Sequence, residues 1–171
     1  MTLLVQARAG DTESLGALLQ WYVNYLTILA TTQLDHRLRR RLSTSDLVLV
    51  TMLAALRDFA QFRGDSEGEL LAWLRQILSH CISHAVEKNL RAQKRDLRRE
   101  VAIEQVAKKL DDSVARMSNL LADNAATPSQ IAGQRELAAE LSDQLAKLKP
   151  NYRDVIVYRN LQGLSFDEVA E

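Results

Sequence analysis

Leu15, Leu18, Leu19, Tyr22, Tyr25, Leu26 and Leu29 recur at steps of three and four residues. That spacing lines side chains up on one stripe of a helix. Asp11, just after Gly10, is placed to cap its start. A second helix is predicted from Ser43-Thr44-Ser45-Asp46, whose hydroxyls and carboxylate suit a cap, to Phe62, with Arg63-Gly64-Asp65 breaking it. Ser66 and Glu69 have the spacing of a capping box, and a third, long helix follows. Leu70, Trp73, Leu74, Ile77, Leu78, Cys81 and Ile82 form its apolar stripe. Three helices around one core make a first domain over residues 1–99.

After Val86 the apolar pattern fades into charge. Ile103, Val106, Leu110, Met117 and Leu121 keep helical spacing, but Asp111-Asp112-Ser113 and Asp123-Asn124-Ala125-Ala126 weaken it. Residues 100–127 therefore read as a partly helical, flexible linker. Thr127-Pro128-Ser129-Gln130 combines a capping hydroxyl, a proline at the first helical position and a Gln three residues after the cap, so a helix is expected as far as Leu148. Pro150 opens another helix and Gly163 closes it by taking up the left-handed conformation. Ser165 and Glu168 form a second capping box. The Tyr152 to Leu161 segment, Gly163 and the capped Ser165 to Glu171 helix look like the approach to a helix-turn-helix, and the chain is expected to stop before a second, groove-reading helix.

Composition supports an all-α fold: glycine is scarce, Pro128 and Pro150 are the only prolines, and Leu, Ala, Arg, Gln and Glu are plentiful. Cys81 is the only cysteine, which rules out an intrachain disulfide. The start of the chain lacks a basic-then-apolar secretory pattern. The longest apolar run, Leu47 to Leu56, is well short of the roughly 20 residues a membrane crossing needs. A soluble, cytoplasmic protein without membrane contact is expected.

The net charge of zero hides strong clustering. Arg37, Arg39, Arg40 and Arg41 form one basic group. Lys88, Arg91, Lys94, Arg95, Arg98 and Arg99 form another, opposed within that run only by Asp96. Such a run can neutralise phosphates with salt-sensitive affinity, or it can be a solvated helix end that complements the helix dipole. His80 and His84 stand four residues apart on one helix face beside Cys81, a spacing that suits zinc. Neither a Glu-containing protease motif nor a second ligand cluster joins them, and Cys81 fits better as a small buried group. Gly-rich phosphate loops and the usual catalytic signatures are absent, so the chain reads as neither an enzyme nor a cofactor carrier.

Ser45-Asp46-Leu47-Val48, Phe59-Ala60-Gln61-Phe62-Arg63-Gly64-Asp65-Ser66 and Leu71-Ala72-Trp73-Leu74-Arg75-Gln76-Ile77-Leu78 follow one another in the order and spacing found in extracytoplasmic-function sigma factors. Leu145 to Ile156 and Asn160 to Ala170 resemble the opening of that family's second DNA-binding domain. The resemblance implies a sigma region 2 domain over 1–99, a linker over 100–127 and an incomplete sigma region 4 domain over 128–171. The implied function is to direct RNA polymerase to promoters and assist their opening in transcription initiation.

The resemblance also implies roles for particular residues. Asp46, Leu47, Val48, Thr51 and Leu53 would dock on the clamp helices of the polymerase largest subunit, although Leu47, Val48, Leu53 and Leu56 could equally face the domain core. Leu49 and Val50 stand where the family usually has Gln and Glu, and an apolar group exposed there would need a partner surface. Phe62, Arg63, Gly64, Asp65 and Ser66 in the loop would capture bases of the minus-ten element, together with Arg75, Gln76, Ser79, His80, Ser83 and His84 on the next helix. Phe62 or Trp73 could offer a stacking surface, but Trp73 lies on the apolar stripe and fits the core better. Lys88, Arg91, Lys94 and Arg95 would contact phosphates. Promoter DNA and the polymerase core are the implied partners, and an anti-sigma protein is a further one the residues leave open. Two other functions compete: a helical adaptor or sequestering protein that binds polymerase or a regulator without reading DNA, and a DNA-binding regulator without polymerase contact.

Overall fold

The computed structural model describes residues 2–34, 36–92, 103–121 and 130–170, which are helical with short turns. In chain order the helices are α1 (Thr2–Arg8), α2 (Thr12–Gln20), α3 (Val23–Gln33), α4 (His36–Arg39), α5 (Thr44–Asp58), α6 (Glu67–Ala92), α7 (Ile103–Leu121), α8 (Gln130–Ala146), α9 (Pro150–Ile156) and α10 (Phe166–Ala170). A single 3-10 turn, Phe59–Gln61, ends α5, and α9 widens into a π-type turn over Val157–Gln162.

The local signals act as their chemistry dictates. Asp11 accepts from the N–H of Glu13 at the start of α2, and Ser43 accepts from the N–H of Asp46 at the start of α5. Ser66 and Glu69 bond reciprocally, as do Ser165 and Glu168. Pro150 sits in the first turn of α9, and Gly163 ends its π-type extension at φ 77°. The start signal Thr127-Pro128-Ser129, expected to open α8, lies outside the described residues.

The first apolar stripe is cut into two helices. The chain turns at Trp21–Tyr22, where Tyr22 takes φ −102° and ψ 6° and its hydroxyl donates to Glu67 Oε1 at 2.7 Å. The turn lets α3 leave the α1–α2 pair and run through the centre, against α5, α6, α7, α8 and the π-type turn. Tyr25, Leu26, Leu29, Ala30 and Leu34 are fully buried there.

Residues 103–121, expected as part of a flexible linker, form one continuous helix. Val106, Leu110, Val114 and Met117 of α7 join the same apolar cluster as α2, α3, α5 and α6. Asp111 and Ser113, which weaken the sequence pattern, are polar contacts of that packing. Arg75 Nε donates to Asp111 Oδ1 at 3.1 Å, and Ser113 Oγ donates to Thr32 Oγ1 at 3.1 Å. From the C-terminal part, Gln162 Nε2 donates to the carbonyl of Thr31 at 2.9 Å, supplying a partner for the last turn of α3. Asn24 Nδ2 donates to Asp143 Oδ1 at 2.9 Å and ties α3 to α8.

Because Leu110 is fully buried, Leu110→Ala should cost about 2–5 kcal/mol of unfolding free energy in a denaturant titration. A loss near zero would show that α7 contributes nothing to the core.

Candidate nucleic-acid interface

At about 100° per residue, the apolar residues of α5 divide between opposite faces. Leu47, Val48, Thr51 and Ala55 point into the core, and the Thr51 hydroxyl donates to the Leu47 carbonyl at 2.7 Å. The opposite face carries Leu49, Val50, Leu53 and Leu56, which are 57, 52, 57 and 42% exposed, beside exposed Asp46. Of the five implied docking residues, Asp46 and Leu53 are therefore accessible. Leu47, Val48 and Thr51 hold the helix in place. The accessible partners of Leu53 are Leu49, Val50 and Leu56, recoverable from the sequence by separating the two faces at helical period.

The loop after α5 is held from four sides. Phe62 is buried, with its ring centroid 5.8 Å from Phe59 and 5.3 Å from Trp73, so it anchors the loop and offers no open face to a base. A Cβ on Gly64 would lie 2.5 Å from the Phe62 ring and 2.8 Å from Glu69 Cβ, so the chain passes too close there for any other residue. Arg8 donates to the Gly64 carbonyl at 3.1 Å and pairs with the Asp65 carboxylate. Glu69 Oε2 accepts from the N–H groups of Asp65 and Ser66 at 2.8 and 3.1 Å. Arg63, Asp65 and Ser66 remain exposed at the tip. Arg8 was not among the residues implied by the sequence, and no spacing rule could reach it from 56 positions away. Its charge partly offsets that of Asp65 at the exposed tip.

Along α6 the expected interface also divides. Gln76, His80, His84 and Lys88 recur every four residues on the exposed face. Arg75, Ser79 and Ser83 form a second row at the same interval, and all three are buried. Arg75 Nη1 donates to the Tyr25 hydroxyl at 3.1 Å in addition to its bond with Asp111. Arg91 is within α6, whereas Lys94, Arg95, Arg98 and Arg99 lie outside the described residues. Cys81 is half-buried between α5 and α6; burial pushes its thiol up, with the Thr51 hydroxyl and the Arg57 charge opposing, which keeps it a weak nucleophile.

A helix with an exposed apolar face, a pinned loop and a polar helix face thus follow one another along the chain. The family model described as ECF sigma factor matches residues 1–171. The chain belongs to the ECF sigma factor family. No curated protein and no solved structure matches it. As a sigma factor it serves transcription initiation, with RNA polymerase and promoter DNA as partners. Among the described residues, no helix is long and apolar enough to cross a membrane.

The Glu69 carboxyl of this sigma factor is held below its ordinary value of 4.5, first by the Asp65 N–H and then by the Ser66 hydroxyl and N–H. The cap's contribution to stability is accordingly complete above pH 4.5 and is lost as pH falls through the lowered value. An NMR titration should place Glu69 below 4.5, and Glu69→Gln should lessen the acid sensitivity of unfolding. A Glu69 midpoint at or above its ordinary value would remove the cap from this account. Gly64→Ala should force Phe62 out of its aromatic contacts, seen as a change in Trp73 fluorescence.

Proposed function

We propose that this sigma factor docks on the polymerase clamp helices through the outer face of α5 and opens promoters by capturing minus-ten bases with the loop tip and the outer face of α6. The observation that carries the proposal is the row Leu49, Val50, Leu53 and Leu56, more than two-fifths exposed on a helix whose other face is core. A contiguous apolar row of this kind needs a partner surface. The family's usual Gln and Glu positions hold Leu49 and Val50, so this chain's docking is more apolar than the family pattern.

Base capture falls to Arg63 and Ser66 in the loop and to Gln76, His80 and His84 on the helix. Their hydrogen-bonding groups are accessible and rigidly based, and unpaired bases present edges to such groups. Lys88, exposed on the same face, contacts phosphates, and Arg91, Lys94 and Arg95, cationic in sequence, share that role. In functional terms residues 1–99 form the docking and opening unit, 100–127 the connection, and 128–171 the part directed at the upstream promoter element.

Leu49→Ala with Leu53→Ala should weaken core binding about tenfold or more, since a truncated interface anchor costs over about 1.4 kcal/mol, while circular dichroism stays unchanged. His80→Ala with His84→Ala should leave core binding intact and reduce permanganate reactivity of promoter thymines. Normal run-off transcription from both variants would sink the mapping.

A further inference from the structure

The row Arg75, Ser79 and Ser83 is an unusual surface to bury. A helix contact built only for packing would be apolar, yet this one holds a guanidinium and two hydroxyls, and the Ser83 Oγ is buried without a hydrogen-bond partner. An unsatisfied buried hydroxyl is costly. A buried guanidinium and an unpartnered buried hydroxyl set this row apart from the apolar stripe beside it. Lying beside this row, α7 supplies Asp111 to Arg75. The Arg75 side chain is 8% exposed, whereas that of Asp111 is 65% exposed, so the carboxylate can be reached and displaced from outside.

We propose that α7 is a lid over the inner row of α6, with the Asp111 carboxylate holding the Arg75 guanidinium in place of a DNA phosphate, so that the free chain is closed until α7 is displaced. The proposal rests on α6 being the DNA-facing helix. A carboxylate matches a phosphate as an acceptor for guanidinium and repels one in solution. The polar bonds that fasten the lid, from Arg75 to Asp111, Ser113 to Thr32 and Arg116 to the Leu161 carbonyl at 2.9 Å, are each exchangeable for water at modest net cost. Leu110 and Met117 hold it shut by apolar burial, which a binding partner must replace. Opening would free Arg75 from Asp111 while its bond to the Tyr25 hydroxyl holds the guanidinium in place, adding a cation beside the exposed Gln76, His80 and His84.

The lid can be locked to α3. The hydroxyls of Thr32 and Ser113 are 3.1 Å apart, so Thr32→Cys with Ser113→Cys, on a Cys81→Ser background, should form a disulfide on oxidation. The oxidised full chain is expected to join core polymerase through α5 but to lose promoter opening at least tenfold, with reductant restoring it. Separately, Asp111→Asn should raise the free chain's affinity for single-stranded minus-ten DNA severalfold, and Arg75→Gln should abolish that gain. An oxidised chain that opens promoters as well as the reduced one overturns the lid. If His80→Ala with His84→Ala still impairs opening in that case, the DNA-facing assignment of α6 stands and the lid alone fails. If the histidine pair and Asp111→Asn are both silent, both fail.

Discussion

The structure depends on a central helix with almost no solvent face. On α3, Tyr25, Leu26, Leu29 and Ala30 are fully buried, and elements from both halves of the chain close around them. Its threonines are tolerated in that position because Thr27, Thr31 and Thr32 return their hydroxyls to carbonyls of the same helix. A helix apolar on all sides cannot be stable until every side is covered. The covering helices therefore have to arrive together, and each brings a second face that is free for other work.

In the proposed function it is these second faces that act. Helix α5 spends one side on the core and presents four apolar residues on the other; α6 buries its apolar stripe and keeps Gln76, His80, His84 and Lys88 outside. Between them, the loop derives its rigidity from the same core: Phe62 is anchored on Phe59 and Trp73, while Arg8 and Glu69 hold the backbone at residues 64–66. Base capture needs groups held still before the base arrives. Here the stillness comes from aromatic packing and a capping box instead of from direct contact with the ligand.

The α6–α7 seam differs from the rest of the core in chemistry. Here Arg75 of α6 meets Asp111 of α7 beside the unpartnered Ser83 hydroxyl, while Ser113 ties the same helix α7 to Thr32 of α3. Polar seams give up less on hydration than apolar ones. A boundary of this kind suits a surface that is covered at one stage and used at another.

Much of this was legible in the residues themselves. The caps at Asp11 and Ser43, the boxes at Ser66–Glu69 and Ser165–Glu168, the opening at Pro150 and the left-handed Gly163 are decided by bonds spanning a few positions, so local sequence determines them. The family resemblance rests on ordered motifs and needs no coordinates. Tertiary structure alone decided the break at Trp21–Tyr22, the incorporation of residues 103–121 into the core, and the inward turn of Phe62, Arg75, Ser79 and Ser83. Helical period can divide a segment into faces, but which face is buried depends on what packs against it. Those partners, such as Asp111 for Arg75 or Arg8 for Asp65, lie 36 and 57 residues away, beyond the reach of any local rule.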